Sequence, residues 1–153
     1  DIVFERLATL PPMVLCATDH PLASREAVSL EELAHEPMVL LDLPLSRDYF
    51  LALFAAHGLE PRISHRTAQP DVVRSLVANG FGYSLVNARP IANRSLDGRL
   101  LATVPLAGAH RPMHLGIATL RLHREPRLIR VFREYCRQVI GPDGIPGMAV
   151  GSE

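Results

Sequence analysis

Short apolar runs recur along the first half of the chain and predict buried β-strands. Residues 13–17 (MVLCA) and 38–41 (MVLL) are almost continuously apolar, as is typical of strands that are covered on both faces. Residues 62–67 (RISHRT) alternate between polar and apolar and predict a strand with less complete cover. Residues 82–86 (GYSLV) predict a further buried strand.

Three stretches between these runs predict helices. Ser29 and Glu32 have the spacing of a capping box, which opens a short helix. Apolar residues recur at helical spacing over residues 47–57, and a third helix is expected to begin at Pro70 and to end at Gly80. Strands and helices that alternate through short connections favour parallel pairing and right-handed crossovers. The pattern therefore predicts an α/β fold with an open, mostly parallel sheet flanked by helices.

The second half of the chain has a different character. Residues 100–104 and 114–120 predict two more strands, and Pro126 opens a long helix that runs to about Ile140. One face of this helix carries Leu128, Phe132, Tyr135, Cys136 and Val139. Residues 141–153 contain four of the ten glycines and little to bury, so we expect a mobile tail.

Composition narrows the classes of protein. The 153 residues suffice for one domain, and 48% of them are hydrophobic, which excludes disorder. Sixteen arginines balance sixteen acidic residues, and tryptophan is absent, so this segment has neither the basic face nor the stacking surface of a nucleic-acid-binding module. No apolar run is long enough to span a bilayer. The two distant cysteines, Cys16 and Cys136, indicate a reducing cytoplasm.

The residues that most often carry chemistry do not form a known pattern. Seven histidines are present, but none forms a His-x-x-x-His pair on a helix, since His110 and His114 lie on either side of a proline-containing turn. The sequence has no Cys-x-x-Cys pair and no Gly-x-Ser-x-Gly motif. We therefore predict no catalytic residue, no metal and no cofactor, and expect that the chain is not an enzyme.

Two places where a strand leads into a helix are better candidates for a binding site. In an open parallel sheet, ligands bind at the carboxyl ends of the strands, where helix N-termini offer free N–H groups and the positive end of the helix dipole. The candidate residues at these two corners are Pro44, Leu45, Ser46, Arg47, Gln69 and Pro70. We predict that they hold a small carboxylate-bearing ligand, with Ser46 and the backbone as donors. The alternative is that Ser46 and Gln69 are ordinary helix caps.

Five phrases of the sequence together resemble one family. They are residues 19–23 (DHPLA), 28–33 (VSLEEL), 37–40 (PMVL), 57–62 (HGLEPR) and 76–85 (LVANGFGYSL). In this order and spacing they resemble the effector-binding region of LysR-type transcriptional regulators, and the resemblance covers residues 9–140.

The resemblance implies the type 2 periplasmic-binding-protein fold, in which an effector lies between two lobes. Residues 1–140 would form part of such a domain, with the second lobe at 13–112 and a return crossing and first-lobe helix at 113–140, followed by the tail at 141–153. The family's second-lobe contacts match Pro44, Leu45, Ser46, Gln69 and Pro70, the corners already chosen.

The resemblance also implies the partners. They would be a small metabolite, DNA only through a winged helix-turn-helix absent from this chain, and further copies of the regulator, with no membrane partner. The uncovered apolar face of the last helix would promote association between chains. The alternative reading is a transporter-type solute-binding protein of the same fold.

Overall fold

Strands and helices account for most of the chain in this computed structural model, which describes residues 1–121, 125–141 and 144–150. The strands are β1 (Ile2–Leu10), β2 (Met13–Ala17), β3 (Pro37–Leu41), β4 (Arg62–Thr67), β5 (Ser84–Val86), β6 (Ala88–Pro90), β7 (Leu101–Pro105), β8 (Met113–Leu120) and β9 (Met148–Val150). The helices are α1 (Leu30–Ala34), α2 (Pro44–Ala55), α3 (Pro70–Ala78) and α4 (Arg127–Val139), and a 3-10 turn spans Pro21–Ser24.

The chain divides into two units. Unit 1 contains the described residues of 1–11, 87–91 and 111–153, and unit 2 contains residues 12–86 and 92–110. The chain therefore passes from one unit to the other several times, and the segment 87–91 belongs to unit 1 although both of its neighbours belong to unit 2.

The sheet of unit 2 is mostly parallel, as the sequence predicts, with β2 as its one antiparallel strand among the described residues. β3 pairs with β4 in parallel, and a parallel bridge joins Met38 to Tyr83 just before β5. β2, however, runs antiparallel to both β5 and β7. The connection from β2 to β3 contains only the 3-10 turn and the five-residue α1, and it returns the chain in the opposite direction rather than as a full crossover. The α/β class with flanking helices is confirmed.

Alternation along the central strands separates the core of unit 2 into two layers. Val14 and Met38 point to the side of α1 and α2, where Leu33 and Phe54 are fully buried. The neighbouring residues point to the opposite face, where α3 packs. That second layer contains Leu15, Val39, Val73, Val77, Ala78 and Leu101. Unit 2 is thus a sheet covered by helices on both faces.

Local signals in unit 2 behave as their sequence predicts. In the capping box at the start of α1, the Glu32 N–H donates to Ser29 Oγ at 3.2 Å and the Ser29 N–H donates to Glu32 Oε2 at 3.0 Å. Gly82 has φ of 135°, and a Cβ at this position would lie 2.1 Å from the Pro37 carbonyl oxygen. Only glycine allows the two backbones to approach this closely.

Unit 1 is built on a two-stranded antiparallel ribbon of β1 and β8, paired from Ile2 opposite Leu120 to Leu10 opposite Met113 with a register shift between Arg6 and Ala8. The Arg133 Nη2 of α4 donates to Glu5 Oε2 on β1 at 2.7 Å, and Arg137 pairs with the same carboxylate. Within the described residues, no helix is long and apolar enough to cross a membrane.

Part of the predicted tail forms a β-strand. β9 pairs antiparallel with β6, with Ala88 opposite Val150 and Pro90 opposite Met148. Residues 148–150 therefore form a paired strand, and the prediction that the tail is mobile stays a prediction. Residues 142–143 and 151–153 lie outside the described residues.

Candidate functional site

The two predicted corners lie side by side at one edge of the sheet of unit 2. β3 and β4 are parallel neighbours with Leu41 opposite Thr67, and the Asp42 N–H donates to the Thr67 carbonyl at 2.8 Å. Both strands therefore end at the same edge, and each leads directly into a helix. The N-terminus of α2 at Pro44 and that of α3 at Pro70 therefore lie at this same end of the sheet, with the two helices on opposite faces.

The first corner is part of a helix and not a loop ahead of one. α2 begins at Pro44, three residues before the predicted start, so Leu45, Ser46 and Arg47 form its first turn. Proline suits this position because its φ is already helical and it has no N–H to leave unpaired. Proline at the first helical position was the signal in the sequence that could have located this start.

The N-terminus of α2 has no side-chain cap. Leu43 occupies the N-cap position, and its carbonyl accepts the Arg47 N–H at 2.7 Å. Ser46 lies inside the first turn, so the alternative that it caps the helix is wrong. The N–H groups of Leu45 and Ser46 have no acceptor within the helix. No acidic residue stands in this turn, so the positive end of the dipole remains available to a ligand.

The second corner is also uncapped by a side chain. Gln69 holds the N-cap position and accepts the N–H groups of Val72 and Val73 through its main-chain carbonyl, at 3.1 Å each. Its own N–H donates to Thr67 Oγ1 at 3.2 Å, and its side chain makes no capping hydrogen bond. The alternative is therefore right that Gln69 is the N-cap residue, but its side chain makes no capping hydrogen bond. Asp71 in the first turn of α3 partly compensates the dipole there.

Arg47 does not offer a free positive charge at this edge. Its Nε donates to Asp48 Oδ1 at 2.9 Å, and its Nη1 donates to Asp42 Oδ1 at 3.1 Å. These hydrogen bonds, first that to Asp48 and then that to Asp42, raise the pKa of Arg47. An anion at this edge would depend on main-chain N–H groups, the Ser46 hydroxyl and the Gln69 amide more than on a cation.

Exposed apolar side chains surround the two helix N-termini. Leu45 is 79% exposed, and Leu43 and Val72 are 38% exposed. A ligand with a hydrogen-bond acceptor at one end and an apolar body would match this combination, since small-molecule sites pair a few polar groups with apolar lining.

The Cys16 thiol is buried in the core of unit 2, away from this edge. Burial raises the pKa of the Cys16 thiol to about 11, which keeps it protonated at neutral pH. In the described part of the chain, no three His, Cys, Asp or Glu side chains are placed to hold a metal ion. What the edge of the sheet can do chemically is bind, through donors that are fixed in place by the two helices.

An α/β unit with helix N-termini at the carboxyl ends of its strands has the architecture of small-molecule-binding domains. The chain belongs to the LysR substrate binding domain family, which matches residues 1–141.

Known proteins similar to the chain are transcriptional regulators. It is 34% identical, over 56% of its length and 29% of the relative, to the HTH-type transcriptional regulator TtuA of Agrobacterium vitis. The crystal structure of HinK, a LysR family transcriptional regulator from Pseudomonas aeruginosa, matches with a TM-score of 0.84 and 35% identity over 92% of this chain and 49% of HinK. The BenM effector binding domain with its effector benzoate matches with a TM-score of 0.74 and 29% identity, over 90% of this chain and 63% of that one.

These similarities support the fold and the family. The chain spans half or less of the length of TtuA and HinK.

Proposed function

We propose that this chain is the effector-sensing part of a LysR-type transcriptional regulator and not an enzyme. A small carboxylate-bearing metabolite binds it and thereby controls DNA binding by a winged helix-turn-helix outside these 153 residues. One observation carries the proposal. Two helix N-termini without side-chain caps meet at one sheet edge, in a family that includes a domain named with benzoate as its effector.

The proposed contacts follow from the geometry of the two corners. The ligand carboxylate accepts hydrogen bonds from the N–H groups of Leu45 and Ser46 and from the Ser46 hydroxyl, while the Gln69 side chain donates from the neighbouring helix. Pro44 and Pro70 set the starts of the two helices. Arg47 contributes mainly by holding Asp42 and Asp48, which keeps both carboxylates occupied.

We further propose that residues 13–112 are the second lobe of the domain and that 113–140 return to the first. The boundaries of unit 2, at residues 12 and 110, support this division, apart from residues 87–91, which belong to unit 1. The exposed face of α4, with Leu128 at 79% and Phe132 at 58% exposure, supports a role as packing surface for the remainder of the first lobe or for another copy of the regulator. We expect a homo-oligomeric regulator in the cytoplasm.

The double substitution Ser46→Ala with Gln69→Ala tests the site. Titration calorimetry with benzoate, followed by a panel of mono- and dicarboxylates, measures binding to the natural full-length protein. We expect the dissociation constant to rise about ten-fold or more, because two donors worth about 1 kcal/mol each are lost.

The matched control is Ser24→Ala with Gln138→Ala, which removes the same two side chains from exposed positions outside the corners. It should bind as the unchanged protein does. Equal binding by both double variants would refute the assignment of Ser46 and Gln69.

A further inference from the structure

Unit 2 contains a buried arginine that neither the core nor the candidate site requires. Arg74 lies in the second turn of α3 and is only 6% exposed. Burying a guanidinium group costs free energy unless its donors find acceptors. The burial of Arg74 is therefore explained by the acceptors that its guanidinium group binds.

Arg74 holds one short segment of main chain. Its Nη2 donates to the Ala92 carbonyl at 2.8 Å and to the Arg94 carbonyl at 2.6 Å. The same segment closes on itself, because the Leu101 N–H donates to the Asn93 carbonyl at 2.8 Å and Arg94 Nη1 donates to the Gly98 carbonyl at 2.8 Å. The Arg74 guanidinium thus binds the first residues of a closed loop over residues 92–101.

The hydrogen bond between Arg74 and Ala92 joins a residue near the candidate site to a residue at a boundary of unit 2. Arg74 lies four residues after Pro70, about one helical turn from the corner where we place the ligand. Ala92 is the first residue of unit 2 after the chain has passed through 87–91 of unit 1. A single side chain therefore links the helix of the candidate site to the point where the chain re-enters unit 2.

We infer that Arg74 is a positioning residue that makes α3 and residues 92–94 move as one body. Through Arg74, ligand binding at the N-terminus of α3 affects residues 92–94, which directly follow the 87–91 segment of unit 1. The part of this inference that concerns the ligand rests on the proposed function. The connection of α3 to residues 92–94 through Arg74 does not depend on it. A planar guanidinium can hold two carbonyls in fixed geometry, whereas a lysine ammonium is a point charge on a flexible stem.

Hydrogen exchange followed by mass spectrometry tests the connection without any ligand. In Arg74→Lys and Arg74→Met variants of the natural full-length protein, we expect the N–H groups of Ser95, Gly98 and Leu101 to exchange at least ten-fold faster. Each of these groups is hydrogen-bonded within the loop. Exchange in β2 should stay unchanged, which shows that the variants fold. The exposed Arg62→Met serves as control.

Unchanged exchange over 92–101 would overturn the inference, and so would an equal acceleration in β2, since that would mean general destabilisation.

Adding benzoate to the same experiment tests the coupling. In the unchanged protein, we expect benzoate to slow exchange both at residues 43–48 and at 92–101. In Arg74→Lys, benzoate should still slow exchange at 43–48, and the benzoate concentration that gives half of this effect should be within two-fold of that in the unchanged protein. Benzoate should not slow exchange at 92–101 in this variant. Equal protection of 92–101 in the variant would refute the coupling.

Protection at neither place in the unchanged protein would refute the proposed benzoate-like ligand and the coupling with it. The ligand-free comparison would still decide whether Arg74 ties α3 to 92–94. Failure of the proposed function and failure of the connection therefore give different results.

Discussion

Helices with the same kind of amphipathic sequence bury their apolar face in unit 2 and expose it in unit 1. α3 in unit 2 and α4 in unit 1 both carry an apolar stripe at helical spacing. Val73 and Val77 of α3 are buried against the sheet, whereas Leu128, Phe132 and Tyr135 of α4 are 58–79% exposed. An amphipathic stripe therefore indicates a helix with a face to cover, and the rest of the fold decides whether the covering layer is present.

The two units also rely on different interactions. Buried side chains such as Phe54, Leu33 and Tyr83 hold unit 2 together. α4 is held to β1 by ion pairs of Arg133 and Arg137 with Glu5, and Arg133 also binds Glu125. Unit 2 should consequently be insensitive to salt and mild acid, and the attachment of α4 should be sensitive to both.

The largest effect should come from Phe54→Ala in unit 2, with Phe132→Ala in unit 1 as its matched comparison. Phe54 is fully buried and Phe132 is 58% exposed. Phe54→Ala should lower the free energy of unfolding by about 3–5 kcal/mol, because it leaves a cavity. Phe132→Ala should change it by about 0.5 kcal/mol or less in the 153-residue chain, as is usual for exposed positions. Urea unfolding followed by circular dichroism measures both.

A large loss in Phe132→Ala would break the comparison, since it would mean that the face of α4 is covered in solution. Repeating the measurement over a range of protein concentrations would then show whether another copy covers it.

A smaller, local effect should follow from acid. Hydrogen bonds from Arg137 and then Arg133 lower the pKa of Glu5 to about 2, from an ordinary value of 4.5. A carboxyl whose pKa is lower in the folded state stabilises the fold above its ordinary pKa. That contribution is lost as the pH falls from about 4.5 towards 2. Nuclear magnetic resonance should show the Nε–H signal of Arg133 broadening as the pH approaches about 2, where Glu5 becomes protonated in the folded protein.

Glu5→Gln supplies the matched control for the acid experiment. The Arg133 signal should then be broadened already at neutral pH, and lowering the pH should change it no further. In the unchanged protein, an Arg133 signal that stayed sharp below the pKa of Glu5, which is about 2, would contradict the proposal that ion pairs hold α4.

The smallest effect is expected at Tyr83. Its hydroxyl is buried without a hydrogen-bond partner among the described residues, and burial raises its pKa. Tyr83→Phe should leave the free energy of unfolding unchanged or raise it by up to about 1 kcal/mol, because a desolvated polar group is removed. The comparison is Ser64→Ala, and the midpoint of unfolding in urea is measured for both variants. In the unchanged protein the Ser64 hydroxyl donates to the Met38 and Phe81 carbonyls at 3.1 and 3.2 Å.

Ser64→Ala should cost about 1 kcal/mol, the usual net value of a hydrogen bond. If Tyr83→Phe cost as much, the Tyr83 hydroxyl would have a partner, and the core of unit 2 would depend on polar contacts as well.

Local patterns in the sequence determined much of what the structure contains. The apolar runs located β2 and β3, and the capping box located α1. The family resemblance is confirmed by the match over residues 1–141. The candidate residues at the two corners do lie together, and their role in binding stays a prediction. These features depend on neighbours within a few residues, so periodicity and capping are sufficient to read them.

Tertiary structure decided the features that depend on distant parts of the chain. The direction of β2 against β5 and β7, the pairing of β9 with β6 and the hydrogen bonds of Arg74 to residues 92–94 join positions between 18 and 92 residues apart. No local pattern encodes which edge a strand will find or which carbonyls an arginine will reach. Those choices are made by the free energy of the whole fold, in which each contact is favourable only when the others are already in place.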